Sequence, residues 1–179
     1  GYLEENGIDH LLLPALEFMS IDANEEPQIG SIKVKLSQLL QQHASVKLFI
    51  TQGYICRNIR GEVDNLKRGG SDYTASLVAA AINASVCEIW TDIDGMHNND
   101  PRIVEKTIPV ELLSFDEAAE LAYFGAKILH PACIWPAQHY NVPVKLLNTM
   151  QPEAKGTTIQ EDADSVGAKA VAAKDGIIA

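Results

Sequence analysis

The chain has 179 residues, of which 46% are apolar, and this is long enough for one full domain with a buried core. Its formal net charge of −10 argues against nucleic acid as a partner, because neutralising phosphates requires a basic face. No apolar run approaches the roughly 20 residues that span a bilayer, and acidic residues stand where a signal peptide would be basic. We therefore expect a cytoplasmic protein with no membrane partner.

The N-terminal half is predicted to contain one helix, one strand and one hairpin. Residues 1–30 carry seven acidic residues and no Lys or Arg, and they look irregular or partly helical. Apolar periodicity predicts a helix after Ser31, and a β-branched run predicts a strand over residues 46–51. Residues 58–62 have the composition of a hairpin tip.

Strands and helices alternate in the remainder. Residues 74–84 are rich in alanine and suit a buried helix, with Ser71 or Asp72 as its N-cap. A strand is predicted over 86–92 and a loop over 93–102. Ser114 and Glu117 form a capping box that opens the next helix, followed by a helix over 131–140 and a strand over 142–147. This alternation is typical of a doubly wound α/β fold.

The three cysteines Cys56, Cys87 and Cys133 are far apart in the sequence, and we predict buried, reduced thiols. Neither a CxxC motif nor Cys/His ligand spacing is present, so we expect no zinc site.

The first cluster with binding chemistry is Lys67-Arg68-Gly69-Gly70-Ser71-Asp72, at the predicted start of a helix. Glycines let a ligand approach the backbone, and a helix N-terminus offers unpaired N–H groups and partial positive charge. Arg68 suits a carboxylate because its guanidinium donates two parallel hydrogen bonds. The alternative is a capped turn with a surface arginine.

The second cluster runs from Thr91 to Arg102 and contains Asp92, Asp94 and Asp100 together with His97. Asp92 falls at the end of a predicted strand, where open α/β sheets place polar ligand contacts. The spacing does not match an EF-hand loop. A solvated turn rich in Asp and Asn is the alternative.

Lys127 follows a predicted helix and suits a phosphate oxygen. It is equally explained as a lysine that complements the helix dipole. His130, directly before Pro131, is expected to cap a turn.

These segments together resemble the aspartate kinases of the amino-acid kinase family. The resemblance rests on Phe49-Ile50-Thr51-Gln52-Gly53-Tyr54-Ile55 with Leu66 to Ala75, on Trp90 to Gly95 with Asn99 to Arg102, and on Ser114 to Ala118 with Gly125 to Pro131. It covers about residues 45–160. It implies an α/β fold with a three-layer open sheet of the amino-acid kinase type, of which this chain is the C-terminal, nucleotide-binding half.

The implied activity is phosphorylation of the L-aspartate β-carboxylate by ATP with Mg²⁺, the first step of lysine, threonine and methionine biosynthesis. By the resemblance, Arg68 and Ser71 bind aspartate, and Asp72 lies beside the reacting centre. Thr91, Asp92, His97 and Arg102 bind the nucleotide. Lys127 binds the phosphates, and Lys127 and Asp72 are the implied catalytic residues. His97 stands where we expect tyrosine in many relatives.

The resemblance also predicts the domain organisation. Residues 1–150 correspond to a partial catalytic domain, 151–164 to a linker, and 165–179 to the opening of an ACT regulatory domain, whose first strand is predicted over 168–173. The family's glycine-rich N-terminal strand has no counterpart, so we expect the chain to be inactive alone. Lysine or threonine is the implied effector of the full-length protein, which is expected to be a homo-oligomer.

Two alternatives stay open at this point. Another enzyme of the family, such as a glutamate or N-acetylglutamate kinase, shares the phosphate chemistry but should lack the cluster at Arg68–Asp72 followed by Tyr73. A non-catalytic binding or dimerisation module would instead need an exposed edge, which the strand predicted over 168–173 would supply.

Overall fold

The computed structural model describes residues 1–67, 69–99, 104–124, 129–163 and 167–171, and it divides into two compact units, Gly1–Thr74 and Ala75–Ala179. In these residues no helix is both long and apolar enough to cross a membrane. Both units combine helices with short strands, as the predicted α/β class requires.

The first unit contains two small sheets. Its elements are α1 (Tyr2–Glu5), β1 (Leu11–Leu12), α2 (Ala15–Phe18), α3 (Ile29–Gln42), β2 (Phe49–Ile50), β3 (Ile55–Arg57) and β4 (Val63–Asn65). Strands β1 and β2 pair in parallel, and β3 and β4 form the predicted antiparallel hairpin. Helix α2 contacts both α3 and β3.

Helix α3 confirms the predicted periodicity, although it begins three residues earlier than expected. Ile29, Ile32 and Leu36 are buried on one face of it, at the spacing that places side chains above one another. Strand β2 is shorter than the predicted 46–51. Its partner β1 is followed by Pro14, which has no N–H group to continue the ladder.

Helix α4 (Gly70–Ile82) begins in the first unit and ends in the second. Leu77, Ala80 and Ala81 on it are buried, which confirms the predicted buried helix. The predicted N-cap was wrong. Because the helix already begins at Gly70, Ser71 and Asp72 lie inside its first turn.

The second unit is built on a four-stranded mixed sheet. Its further elements are β5 (Cys87–Thr91), β6 (Leu112–Ser114), α5 (Phe115–Phe124), α6 (Pro131–His139), β7 (Val144–Asn148) and β8 (Thr157–Gln160). The strand order is β5-β7-β8-β6, with β5 parallel to β7, β7 antiparallel to β8, and β8 parallel to β6. Ile89, Leu113, Leu146 and Ile159 are buried along its strands.

The C-terminal part differs from the prediction at two places. The segment predicted as a linker contains β8, whose alternating burial places Thr157 and Ile159 in the core between two neighbouring strands. Residues 168–171, predicted as strand, have no strand structure, and residues 172–173 lie outside the described residues. The domain boundaries themselves stay predictions.

Candidate active site

The turn after β2 packs directly on the start of α4, within the first unit. A Cβ atom at Gly53 would lie 2.7 Å from Cβ of Ser71, so the two segments approach as closely as they do because residue 53 is glycine. The backbone N–H of Tyr54 donates to Oγ1 of Thr74 over 2.8 Å. The first turn of α4 is thereby fixed against the residues that follow the strand.

Two non-glycine residues around this turn have left-handed backbone conformations. Tyr54 has a φ of 74° and Lys67 a φ of 60°. Such a conformation costs an L-residue roughly 1–2 kcal/mol. The N–H of Leu66 donates to the carbonyl of Tyr54 over 2.9 Å and holds that conformation in place. Strain of this kind concentrates where a ligand has to be positioned, which favours the functional interpretation of this cluster.

The hydroxyl and the acidic group of the cluster differ in their exposure. Ser71 is exposed, and burial raises the pKa of the Asp72 carboxyl above its usual value. Lys67 is already engaged, because its Nζ lies 2.9 Å from Oδ1 of Asp64 and 3.7 Å from Oε1 of Glu25. The cation predicted to bind substrate, Arg68, lies outside the described residues.

The second cluster follows β5, as predicted. Thr91 is the last residue of the strand and Asp92 comes directly after it, with an exposed side chain. The Thr91 hydroxyl donates to Oδ1 of Asp92 over 3.0 Å, and the Thr91 carbonyl accepts from the N–H of Thr149. A hydroxyl and a carboxylate are thus held side by side at the carboxyl end of a strand, the position at which α/β sheets bind ligands.

His97 is placed by side-chain contacts on both ring nitrogens. Nε2 lies 2.7 Å from Oδ1 of Asp94, and Nδ1 lies 2.7 Å from Oγ1 of Thr107. The side chain is only 15% exposed. The imidazole is therefore engaged with the protein itself.

Thr157 supports the same loop and was not singled out from the sequence. Its hydroxyl accepts from the N–H of Met96 over 2.8 Å and donates to the carbonyl of Val110 over 2.7 Å. Gly95 passes directly over it with a φ of 117°, where a Cβ atom would overlap the Thr157 hydroxyl. A buried threonine in a short strand gives no sequence signal of its own. The Asp94-Gly95 pair does give one, because Asp-Gly pairs indicate turns in which the glycine has a positive φ.

Arg102 and Lys127, the two cations predicted to meet the phosphates, lie outside the described residues, as does Asp100. The helix before Lys127 begins as predicted: the Ser114 hydroxyl accepts from the N–H of Glu117, and Oε2 of Glu117 accepts from the N–H of Ser114. His130 caps α6 as expected, since its Nδ1 accepts from the N–H of Ala132.

Residues 167–171, within the second unit, contact α5 and the loop after β5. Nζ of Lys169 is 2.8 Å from Oε2 of Glu117, and the N–H of Val171 donates to the carbonyl of Asn98 over 2.8 Å. A cavity of about 370 Å³ lies between this segment and residues of β6 and α5, among them Leu113 and Leu121. The segment after the sheet thus touches both α5 and the loop that carries His97.

Comparison with known proteins decides the family. Residues 2–148 match the model of the amino acid kinase family, which is most of the chain. The chain belongs to the amino acid kinase family. This agrees with the predicted fold class.

Aspartokinases are among the proteins that the chain is similar to. The chain is 42% identical over 134 residues to lysine-sensitive aspartokinase 3 of Escherichia coli, an alignment that covers 75% of the chain and 30% of that protein. The structure of E. coli aspartokinase III in complex with aspartate and ADP (R-state) superposes with a TM-score of 0.84 at 36% identity, covering 90% of this chain and 37% of that one. Its complex with lysine and aspartate (T-state) gives a TM-score of 0.80 at 36% identity over the same shares. The chain spans about a third of these relatives.

Proposed function

We propose that the chain is part of an aspartate kinase, which transfers the γ-phosphoryl group of ATP to the β-carboxylate of L-aspartate. The observation that carries the proposal is the match to an aspartokinase bound to aspartate and ADP, which extends over 90% of the chain at 36% identity. The chemistry of the two clusters is consistent with it, because one offers groups for a small acid and the other for a nucleotide.

The first cluster is the proposed aspartate site. Arg68 binds a carboxylate of aspartate, Ser71 donates its hydroxyl, and Asp72 lies beside the reacting centre. The substrate carboxylate is itself the nucleophile, so the protein has to position two anions rather than activate a residue of its own.

The second cluster is the proposed nucleotide site. Thr91 and Asp92 contact the nucleotide, while Arg102 and Lys127 neutralise the phosphates in the transition state. Mg²⁺ usually keeps several waters and is held by substrate phosphates and one or two carboxylates. In the part of the chain that the structure describes, no three His, Cys, Asp or Glu side chains form a group that could hold a metal ion.

The domain organisation and the partners are part of the same proposal. Residues 1–150 belong to the catalytic domain, and residues 165–179 open an ACT regulatory domain, connected by residues 151–164. Lysine is the proposed effector in preference to threonine, because a lysine-bound aspartokinase III superposes on the chain at 36% identity. The full-length protein is proposed to be a cytoplasmic homo-oligomer.

The test is an assay of ADP formation by the full-length protein that contains this chain, with L-aspartate, L-glutamate and N-acetyl-L-glutamate as acceptors. We expect turnover with aspartate at least one hundred times faster than with either of the others. Asp72→Asn should lower kcat by about two orders of magnitude. Asp9→Asn, the same change on an exposed acid of the same unit, should leave kcat unchanged. Preference for glutamate or N-acetylglutamate would assign the chain to another enzyme of the family.

A further inference from the structure

Two segments of the second unit pair with one another on either side of residues 99–106. The N–H of Val110 donates to the carbonyl of Met96 over 2.7 Å, and the N–H of Asn98 donates to the carbonyl of Ile108 over 3.0 Å. His97 faces Pro109 in an antiparallel bridge. Arg102 of the proposed nucleotide site lies in the sequence between these two segments.

The His97 side chain adds a second connection across the same pairing. Its ring joins Asp94 to Thr107 through two contacts of 2.7 Å, and these partners are thirteen residues apart in the chain. A carboxylate only accepts hydrogen bonds, so Nε2 carries a proton and donates to Asp94. In the neutral ring, Nδ1 then accepts from the Thr107 hydroxyl.

We propose that His97 is a positioning residue that braces the nucleotide loop, residues 91–99, against Thr107, and that it does not contact the ribose or the adenine. This inference rests on the proposed function, because it assumes that the loop binds a nucleotide. It replaces the role that the resemblance implied for His97. Both ring nitrogens are committed to the protein, and a largely buried ring leaves little surface for a ligand.

The brace acts before the nucleotide arrives. A loop that is already ordered loses less conformational entropy on binding than a mobile one, so preorganisation appears as tighter nucleotide binding. Asp94 is next to Gly95, whose close approach to Thr157 anchors the loop at its base. His97 holds the loop at a second point, two residues after Gly95 and five residues after Asp92.

Thr107 supplies a test that separates a brace from a direct contact. Calorimetric titration of the chain with ADP and Mg²⁺ should show binding weakened about tenfold by His97→Ala, as expected for loss of a hydrogen bond to a charged group. Thr107→Val, which keeps the shape and removes the hydroxyl, should weaken binding in the same direction. Thr107→Ser, which keeps the hydroxyl, should bind like the wild type. The double variant should bind no more weakly than His97→Ala alone, because both changes break one connection.

The NMR signals of the His97 ring give a readout independent of affinity. We expect the nitrogen shifts of a ring protonated on Nε2, a clear change in Thr107→Val without nucleotide, and little change when ADP and Mg²⁺ are added to the wild type. A large ring shift on adding nucleotide, or wild-type affinity in a folded Thr107→Val variant, would overturn the brace alone. A wild-type chain that binds no ADP would overturn the proposed nucleotide site and the brace together.

Discussion

Gly95→Ala should be among the most damaging small substitutions in the second unit. The backbone of residue 95 has a φ of 117°, which costs an L-residue roughly 1–2 kcal/mol. The added Cβ would also overlap the Thr157 hydroxyl and lie 3.0 Å from the Thr157 N atom. If Thr157 moves away, its two hydrogen bonds to Met96 and Val110 are lost, at roughly 1 kcal/mol each. We therefore expect a loss of about 3–4 kcal/mol in the free energy of unfolding.

Gly167→Ala is the matched control, because Gly167 has a φ of 98° but no atom within 4 Å of an added Cβ. It should cost only the conformational part, about 1–2 kcal/mol. Both tryptophans, Trp90 and Trp135, belong to the second unit, so urea unfolding followed by tryptophan fluorescence reports on that unit. If Gly95→Ala is no more destabilising than Gly167→Ala, the close approach to Thr157 is wrong.

Three further predictions concern other parts of the chain. Ser114→Ala removes half of the capping box at α5 and should lower the free energy of unfolding by about 1 kcal/mol in the same urea assay; an unchanged midpoint would contradict the capping geometry. Burial raises the native pKa of Asp72 above its ordinary 3.8, so the carboxyl contributes stability below pH 3.8 that is lost as pH rises through the native pKa. Asp72→Asn should therefore raise the melting temperature at pH 7 but not at pH 3, measured by circular dichroism, and equal shifts at both pH values would count against a buried carboxyl. Burial raises the pKa of the Cys56 thiol to about 11, so about one molecule in a thousand carries the thiolate at pH 8. A thiol reagent should react slowly with the native chain and should label all three cysteines once the chain is unfolded. Rapid labelling of Cys56 in the native chain would show that this thiol is exposed.

The larger elements were predictable because their signals are local. The apolar spacing in α3, the alanine-rich run in α4 and the capping box of α5 each appear within about ten residues of sequence. The position of Asp92 after a strand was predictable for the same reason. The helix boundaries were less predictable: α4 begins at Gly70, before the residues Ser71 and Asp72 that were predicted to cap it.

The details that define the site depend on contacts that are distant in sequence. Strand β8 is four residues long and is stabilised by β6 and β7, so its own composition resembled a linker. Thr107 became relevant only because the pairing of residues 96–98 with 108–110 brings it to His97. Thr157 reaches Met96 from sixty-one residues away. Periodicity and turn chemistry do not encode such contacts, which follow from the register of the assembled sheet.

The central claim is that the chain carries an aspartate-binding turn at the start of α4 and a nucleotide-binding loop after β5. The most direct measurement is a residue-resolved NMR titration of the chain, first with ADP and Mg²⁺ and then with L-aspartate. We predict that the nucleotide shifts the backbone signals of Thr91, Asp92 and their neighbours, and that aspartate shifts those of Ser71 and Asp72. Shifts confined to other segments, or none with either ligand at millimolar concentration, would contradict the claim.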